Sequence, residues 1–174
     1  MKMKILNVGC GKQTYGTDFV DKYPQRNGIV RCDVDEDKLP YPDNFFDEVY
    51  SFDLFEHLTN PLFFLKEAKR VLKPCGRIVL TTSYAHCMNW IFNACVYKIP
   101  YGKEDKHYLL VNEYHMKNWF AKAGLKIIEM KFLEDDYVGN SLWKKAMKKT
   151  FNKLFRYSPL WRISYYRIRV VGKK

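Results

Sequence analysis

The residues best suited to chemistry near the amino terminus are a glycine turn and two acids that follow it. The turn closes the apolar run Ile5–Gly11, which reads I-L-N-V-G-C-G, and the acids are Asp21 and Asp33. Each acid ends a further β-like run. Because glycine has no Cβ, a strand that ends in such a turn lets a ligand approach the backbone closely. Parallel α/β sheets bind nucleotide-like ligands at the carboxyl ends of their strands, so the pattern predicts a site of that kind.

A histidine, His57, follows the fourth β-like run in the sequence E-H-L, and Ser51 and Phe52 end that run. An imidazole can take a proton from a hydroxyl group near neutral pH, so His57 is a candidate general base. The alternative is a histidine on the surface of a helix. His107 and His115 are secondary candidates in a region rich in aromatic residues.

Five short apolar runs in the first half of the chain predict the strands that must position these residues. Their content of Val, Ile and Leu favours buried parallel strands. They are Lys4–Val8, Thr17–Val20, Ile29–Asp33, Glu48–Phe52 and Arg77–Thr82, and two later strands are predicted at Leu125–Phe132 and Tyr165–Val171.

Between the fourth and fifth runs the sequence predicts a helix. Asn60 can cap it, Pro61 takes its first position, and Lys73-Pro74 ends it. Its solvent face is predicted to carry Lys66, Glu67, Lys69 and Arg70. Further helices are predicted at Cys87–Tyr97 and at Glu113–Ala123, and glycine after the latter closes it.

The connection between the first two strands is short. Only ten residues lead from Gly11 to Asp21, and Tyr15-Gly16 interrupts them. Parallel strands are normally joined by a dozen or more residues, most often a helix. The sequence therefore predicts that the first helix is reduced to a turn or absent, and that the second strand is short and peripheral.

Further motifs follow the glycine turn: L-P-Y-P-D-N-F-F-D-E-V at Leu39–Val49, E-H-L at Glu56–Leu58 and R-V-L-K-P-C-G-R-I-V-L at Arg70–Leu80. In this order they resemble the class I S-adenosylmethionine-dependent methyltransferases, and most closely the small type 11-like family with G-C-G, P-F-P-D-x-x-F-D, E-H-L and R-V-L-K-P-G-G motifs. The resemblance is good over the first half of the chain and weak beyond it. It implies an α/β, Rossmann-like fold with a mostly parallel seven-stranded sheet and an antiparallel edge strand.

The resemblance also implies where S-adenosylmethionine binds. Backbone N–H groups of Gly9, Cys10 and Gly11 would meet the methionine carboxylate. Asp21, or Asp18 in its place, would accept hydrogen bonds from both ribose hydroxyls. At Asn7 the family commonly has an acid, so less negative charge faces the ammonium group of the cofactor.

The resemblance implies that residues at the ends of the third and fourth strands contact the remaining parts of the cofactor. By the same resemblance, Asp33 would accept from the exocyclic amine of adenine, with Val34 and Leu39 flanking the ring. Ser51 and Phe52 would line the cofactor with backbone groups. The five cysteines contain no C-x-x-C pair, so no metal site is predicted.

The expected function is methyl transfer from S-adenosylmethionine to a hydroxyl group of a small molecule or a glycan, which could be lipid-linked. Such a transfer needs mainly proximity and alignment, and His57 would act as the base. Two alternatives stay open: a cofactor-binding protein without turnover, and a methyltransferase that modifies RNA. No N-P-P-Y-like or D-P-P-Y-like tetrapeptide follows the fourth strand, which argues against enzymes that methylate the amino groups of adenine or glutamine.

Positive charge is concentrated at the carboxyl end of the chain. Of the 30 Lys and Arg residues, 11 lie in residues 142–174, and the other 19 equal the 19 acids, all of which come earlier. A chain of 174 residues favours a single domain over 1–174. No signal peptide or membrane span is recognisable, so a cytoplasmic location is expected.

The sequence pattern of residues 141–160 predicts a basic amphipathic helix inserted before the last strand. Three interpretations are open. Its apolar stripe packs on the domain while its lysines are solvated, or the helix binds an anionic membrane surface on the inner face. Alternatively, the lysines contact the phosphates of a nucleic acid, the less favoured partner.

Overall fold

The computed structural model describes residues 2–85, 108–109, 111–133, 150 and 167–174, which form one seven-stranded sheet with its helices. The order of the strands across the sheet is β3-β2-β1-β4-β5-β7-β6. Within the described ranges no helix is long and apolar enough to cross a membrane. The strands are β1 (Ile5–Val8), β2 (Asp18–Asp21), β3 (Ile29–Arg31), β4 (Phe46–Phe52), β5 (Leu72–Ser83), β6 (Lys126–Leu133) and β7 (Arg167–Lys173).

The neighbouring strands from β3 to β5 all pair in parallel, whereas β7 pairs antiparallel with both β5 and β6. The predicted mostly parallel, seven-stranded sheet is therefore confirmed. One detail differs: the sequence predicts the antiparallel strand at the edge of the sheet, but β7 lies one position inside it. The reason is that β6 pairs with the outer side of β7 and itself forms the edge.

The two described α-helices agree closely with their predicted positions. In α1 (Pro61–Val71), the side chain of Asn60 accepts a hydrogen bond from the N–H of Phe63 at 3.2 Å and caps the helix. In α2 (Glu113–Ala123), Gly124 closes the helix with a φ of 70°. A short 3₁₀ helix, Phe55–His57, follows β4. The helix predicted at Cys87–Tyr97 and, apart from Thr150, the insertion predicted at 141–160 lie outside the described residues.

β5 is longer than the sequence predicts. It begins at Leu72 rather than at Arg77, because Leu72 pairs with Phe46 at the start of β4. Within this extension, the exposed Cys75 has a φ of 65°. A residue with a Cβ is strained in this left-handed region, which glycine adopts freely.

Among the described residues, the hydrophobic core lies mainly on the face of the sheet that α1 and α2 cover. Phe64 and Leu65 of α1 and Phe120 of α2 are fully buried in it. Contact between α2 and the sheet is close, since a Cβ added to Gly172 of β7 would lie 2.5 Å from the ring of Phe120. We call this side the helical face. Side chains alternate along a strand, so Asn7, Glu48, Tyr50, Val79 and Val171 belong to the other side, which we call the second face.

The connection between β1 and β2, residues 9–17, contains no helix, as predicted. Tyr15 of this connection lies instead against the second face, with its ring 4.8 Å from the ring of Tyr50. Its hydroxyl donates to the buried carboxylate of Glu48 at 2.7 Å. Nδ2 of Asn7 donates to the carbonyl oxygen of Tyr15 at 2.8 Å. A nine-residue loop therefore joins two parallel strands and covers part of the sheet.

Candidate functional site

The glycine turn after β1 is held by hydrogen bonds inside the protein. Gly9 and Gly11 have φ values of 66° and 49°, the left-handed conformation that favours glycine. The N–H groups of Gly9 and Cys10 donate to the carbonyl oxygen of Val20 at 2.9 and 3.4 Å. The N–H of Gly11 donates to Oδ2 of Asp21 at 2.8 Å. The three N–H groups that the resemblance assigns to a methionine carboxylate are thus engaged within the protein itself.

Asp21 ends β2 beside this turn. Its Oδ1 accepts a hydrogen bond from the N–H of Tyr23 at 2.8 Å, while Oδ2 holds Gly11. An ionised carboxylate has about four acceptor positions. Asp21 therefore keeps two positions for further donors, which is what a pair of ribose hydroxyls would need.

Asp18, the alternative to Asp21, lies elsewhere. It begins β2, and its Oδ2 accepts a hydrogen bond from the hydroxyl of Thr17 at 2.7 Å. Three residues of extended chain, about 10 Å, separate it from Asp21. The structure therefore does not bring Asp18 together with the turn.

Asp33 lies in the turn after β3, at the same edge as Asp21. The two are linked through the backbone, since the N–H of Cys32 donates to the carbonyl oxygen of Asp21 at 3.1 Å. Nζ of Lys22 lies 2.6 Å from Oδ2 of Asp33 and lowers the pKa of this carboxyl group. Asp33 is therefore an ionised acceptor at neutral pH.

Val34 and Leu39, the residues predicted to flank adenine, are buried, with 8% and 2% of their surface exposed. The loop around Leu39 is fixed to α1 by a set of contacts that we call the α1 clamp. The N–H of Leu39 donates to Glu67 at 3.0 Å, and Arg70 donates to the carbonyl oxygens of Leu39 and Tyr41 at 2.9 and 2.8 Å.

An ion pair between Arg70 and Glu67, 2.8 Å from Nη2 to Oε2, completes the clamp. The hydrogen bonds from Arg70 lower the pKa of Glu67. The prediction that Glu67 lies on the solvent face of its helix is wrong, because this residue is only 7% exposed. Sequence reasoning missed the clamp, although the spacing of three residues is compatible with an ion pair on a helix.

The end of β4 contributes a buried hydroxyl and an ion pair. Ser51 is fully buried, and its Oγ has no hydrogen-bond partner among the described residues. Phe52 is partly buried, and the guanidinium carbon of Arg167 lies 5.1 Å from its ring centroid. Arg167 also forms a bidentate pair with Asp53, with N–O distances from 2.7 to 3.0 Å. No sequence pattern links these two residues, which are 114 positions apart.

Glu56 of the E-H-L motif is an anchor. It is 1% exposed, and its carboxylate accepts hydrogen bonds from the hydroxyls of Thr82 and Ser83 at 2.6 and 2.8 Å. The N–H of Ser83 adds a third bond at 3.1 Å. These contacts fix the 3₁₀ helix to the end of β5, at the same edge of the sheet as the turn after β1.

His57 ends this anchored 3₁₀ helix and is partly exposed. Its N–H donates to the carbonyl oxygen of Leu54 at 2.9 Å. Leu54 packs on the glycine turn, since a Cβ added to Gly9 would lie 2.9 Å from its Cδ1. A backbone hydrogen bond therefore connects His57 to Leu54, the residue that contacts the glycine turn. His115 is exposed on α2, and His107 lies outside the described residues.

Asn7 provides a test of whether the cofactor implied by the resemblance fits. It is fully buried, and its Nδ2 donates to Gln13 at 3.3 Å and to Tyr15 at 2.8 Å. Its Oδ1 has no partner in the described part of the chain. Buried acceptors are nearly always satisfied, and an ammonium group beside the turn would satisfy this one. The residues present therefore fit S-adenosylmethionine. The described ranges contain no group of three or more His, Cys, Asp or Glu residues that could hold a metal ion.

Comparison with known proteins agrees with this geometry. Residues 6–80 match the family model described as a methyltransferase domain. An uncharacterized methyltransferase of Schizosaccharomyces pombe is 41% identical over 62% of this chain and 46% of its own length. The ubiquinone biosynthesis O-methyltransferase of Parvibaculum lavamentivorans is 28% identical over 72% of this chain and 51% of its own length.

The chain spans about half the length of these curated relatives. Among solved structures, a SAM-dependent methyltransferase from Archaeoglobus fulgidus has the same fold, with a TM-score of 0.66 at 17% identity over 99% of this chain and 86% of its own. Residues 6–80 are therefore similar in sequence to a methyltransferase domain, and the chain has the fold of the solved SAM-dependent methyltransferase.

Proposed function

We propose that this chain transfers a methyl group from S-adenosylmethionine to an oxygen atom of a small-molecule or glycan acceptor. The observation that carries the proposal is the bond between Asp21 and Gly11, which joins the end of β2 to the glycine turn after β1. This bond places a carboxylate with two unused acceptor positions beside a turn that a ligand can approach. Oδ1 of Asn7, which is buried and has no hydrogen-bond partner among the described residues, belongs to β1, the strand that leads into the turn.

Three carboxylate and amide groups would hold the cofactor. Asn7 would accept from its ammonium group, Asp21 from its ribose hydroxyls and Asp33 from the amine of adenine. Val34 and Leu39 would support the adenine end from the core, and the α1 clamp keeps Leu39 in place. When bound, the cofactor supplies an electrophilic methyl group on a sulfonium. The residues of the chain align that group and need not activate it.

His57 is the proposed general base for a hydroxyl acceptor. As the acceptor oxygen attacks the methyl carbon, its proton would pass to the imidazole, which keeps the developing charge low. The support for this role is positional. Glu56 fixes the 3₁₀ helix to the edge of the sheet, and Leu54 connects it to the turn through its contact with Gly9.

RNA is a second candidate acceptor, and the observation in its favour is the cluster of basic side chains that β6 and β7 place on the second face of the sheet. The third possibility is a protein that binds the cofactor without turnover. If RNA is the acceptor, methyl groups accumulate on RNA and not on a small molecule or glycan. If the protein is non-catalytic, no substrate becomes methylated.

The experiment that tests the proposal is titration calorimetry with S-adenosylmethionine and its demethylated product. Asp21→Ala should weaken binding about a hundredfold, because two charge-assisted hydrogen bonds worth roughly 3 kcal/mol are lost. Asp18→Ala is the matched control and should bind like the wild type, since Asp18 lies at the other end of β2. Absence of binding by the wild type at roughly millimolar cofactor, the weak end of the affinity scale, would refute the proposal. Binding without methyl transfer to any acceptor would identify the non-catalytic alternative.

A further inference from the structure

The second face of the sheet carries a row of three cations on neighbouring strands. Arg77 of β5 pairs with Lys173 of β7, and Lys173 pairs with Lys126 of β6. Paired residues point to the same face of a sheet, so the three side chains stand side by side. Neighbouring strands are about 4.8 Å apart, and the row therefore extends over about 10 Å. We call these three residues the basic row.

The charge of the basic row is only partly neutralised. Arg77 forms an ion pair with Glu48, the next residue along the same row. In the described part of the chain, neither Lys126 nor Lys173 has an acid within ion-pair distance, and both are exposed. The sheet thus presents two adjacent lysines, neither paired with an acid of the described ranges, beside a paired arginine.

More positive charge follows on the same face. Arg169 of β7 pairs with Lys131 of β6, four residues from Lys173 along β7. Glu129, which lies between Lys126 and Lys131 on β6, forms an ion pair with Lys131 at 3.1 Å. Counting the described side chains of β5, β6 and β7 on this face from Arg77 to Arg169, the basic groups outnumber the acidic ones.

Folding alone gives no reason for this arrangement. Like charges directly opposite each other on neighbouring strands destabilise a sheet. The row is also remote from the candidate cofactor site, because Arg77 lies six residues before the end of β5, about 20 Å away along the strand. A line of cations with this spacing has the charge pattern that complements a line of anions.

We propose that the basic row binds the phosphate backbone of RNA. Two features favour a polynucleotide over a membrane surface. The charges form a line rather than a scattered patch, and a line of positive charge tracks a phosphate backbone. The next residues of the same face, Val79 and Val171, are 3% and 6% exposed, and Ile128 is the one large apolar side chain that is exposed in the described strands β5, β6 and β7, so little apolar surface lies beside the lysines to enter a bilayer. The inference goes beyond the methyl-transfer proposal, since the row could bind RNA whether or not RNA is the acceptor.

Fluorescence anisotropy with a labelled single-stranded RNA of about 20 nucleotides tests the proposal, measured from about 25 to about 200 mM potassium chloride to obtain the salt dependence. The test variant is the double substitution Lys126→Gln and Lys173→Gln. The matched control is Lys117→Gln and Lys122→Gln, which removes the same charge from exposed positions of α2 on the helical face. Basic residues elsewhere in the chain are unchanged in both variants, so the difference between them measures the row.

We expect the row variant to lose about tenfold in affinity near 100 mM salt and its slope of log affinity against log salt to become shallower by about 1.4, as for two phosphate contacts on a single strand. The control should stay close to the wild type. Lys126→Arg with Lys173→Arg should retain binding, which shows that a loss in the Gln variant reflects charge rather than misfolding.

Three outcomes would overturn the proposal: no RNA binding by the wild type at low salt, equal losses in the row and control variants, or binding only to anionic phosphatidylserine vesicles through the same lysines. None of these outcomes affects the calorimetric test of cofactor binding, so the two proposals fail independently.

Discussion

The carboxylate of Asp21 accepts a hydrogen bond from the backbone N–H of Gly11, with 2.8 Å between Oδ2 and N. This contact joins two segments that come from different strands, the turn after β1 and the end of β2. A cofactor that uses Asp21 must therefore bind next to a turn whose shape Asp21 helps to set. Substitutions in the turn and at Asp21 are expected to be coupled in their effects on cofactor affinity.

Gly9→Ala should damage the turn more than Gly11→Ala. Both glycines have positive φ, which costs alanine about 1 kcal/mol. At Gly9 the new Cβ would also lie 2.9 to 3.1 Å from atoms of Leu54, so that side chain must move, whereas nothing lies within 4 Å at Gly11. We expect losses in unfolding free energy of about 2 kcal/mol for Gly9→Ala and about 1 kcal/mol for Gly11→Ala.

Urea denaturation measures the two stabilities, and calorimetry measures the accompanying loss of cofactor affinity. Equal effects of the two substitutions would mean that the contact with Leu54 contributes nothing to the turn.

The α1 clamp makes stability depend on Arg70. Arg70→Met leaves the buried carboxylate of Glu67 without its cation and frees the loop at Leu39 and Tyr41. We expect a loss of about 2 to 3 kcal/mol in unfolding free energy, below the value for a fully buried pair because Arg70 is partly exposed. Lys66→Met, an exposed position on the same helix, is the control and should change stability by less than about 0.5 kcal/mol. An equally small effect at Arg70 would contradict the clamp.

The pH dependence of stability should reveal the clamp as well. Arg70 lowers the folded-state pKa of Glu67 below its ordinary value of 4.5. Its stabilising contribution is therefore complete above that value and is lost as the pH falls through the lower folded-state pKa. Between about pH 6 and about pH 3, Glu67→Gln should lose less stability than the wild type. Parallel curves of unfolding free energy against pH for the two proteins would rule this linkage out.

Cys75→Gly should stabilise the protein. Cys75 holds a left-handed φ of 65° at an exposed position, and glycine adopts that conformation without strain. The gain is about 0.5 to 1 kcal/mol, since the greater freedom of glycine in the unfolded chain offsets part of the relief. Thermal unfolding would show a midpoint higher by about 2 °C. Cys75→Ser keeps the Cβ and serves as the control, and a gain of the same size in that variant would show that the thiol, not the backbone, is responsible.

His57→Ala should separate catalysis from binding. If His57 takes the proton of a hydroxyl acceptor, turnover falls by about 10² to 10⁴ while cofactor affinity stays nearly unchanged. Radiolabelled S-adenosylmethionine, with an acceptor found by screening, measures turnover, and calorimetry measures affinity. A parallel loss of both would assign His57 a structural role, and an unchanged rate would remove it from the mechanism.

Local patterns were sufficient to predict much of the fold. β1 and its glycine turn, the Asn60 cap and the full length of α2 depend on residues close together in the sequence. The extension of β5 to Leu72 was not predictable, because the pairing partner of Leu72, Phe46, lies 26 positions earlier. In addition, Pro74-Cys75, between Leu72 and the predicted start of the strand at Arg77, has the sequence of a turn.

The same division applies to the candidate site. Asp21 was predictable from its position after a β-like run, and the structure adds that it holds the turn. The ion pair between Asp53 and Arg167 was not predictable from the sequence, because the two residues meet only when β7 pairs with β5. Charge at Glu67 indicated a solvent position, but the loop at Leu39 folds over it and buries it.

The short connection between β1 and β2 also bears on how the chain folds. Leu6 of β1 pairs with Asp18, 12 positions later, and Phe19 of β2 pairs with Ile29, 10 positions later. Strands joined through a helix pair across about 30 positions, and closing a loop of 12 instead of 30 residues saves about 0.8 kcal/mol of chain entropy. We expect the β1–β2–β3 unit to form early, so Val20→Ala should slow refolding more than Ile168→Val for the same loss of stability. Equal φ-values would contradict this order. The part of the sheet that carries the candidate cofactor site would then also be the part from which the rest of the protein assembles.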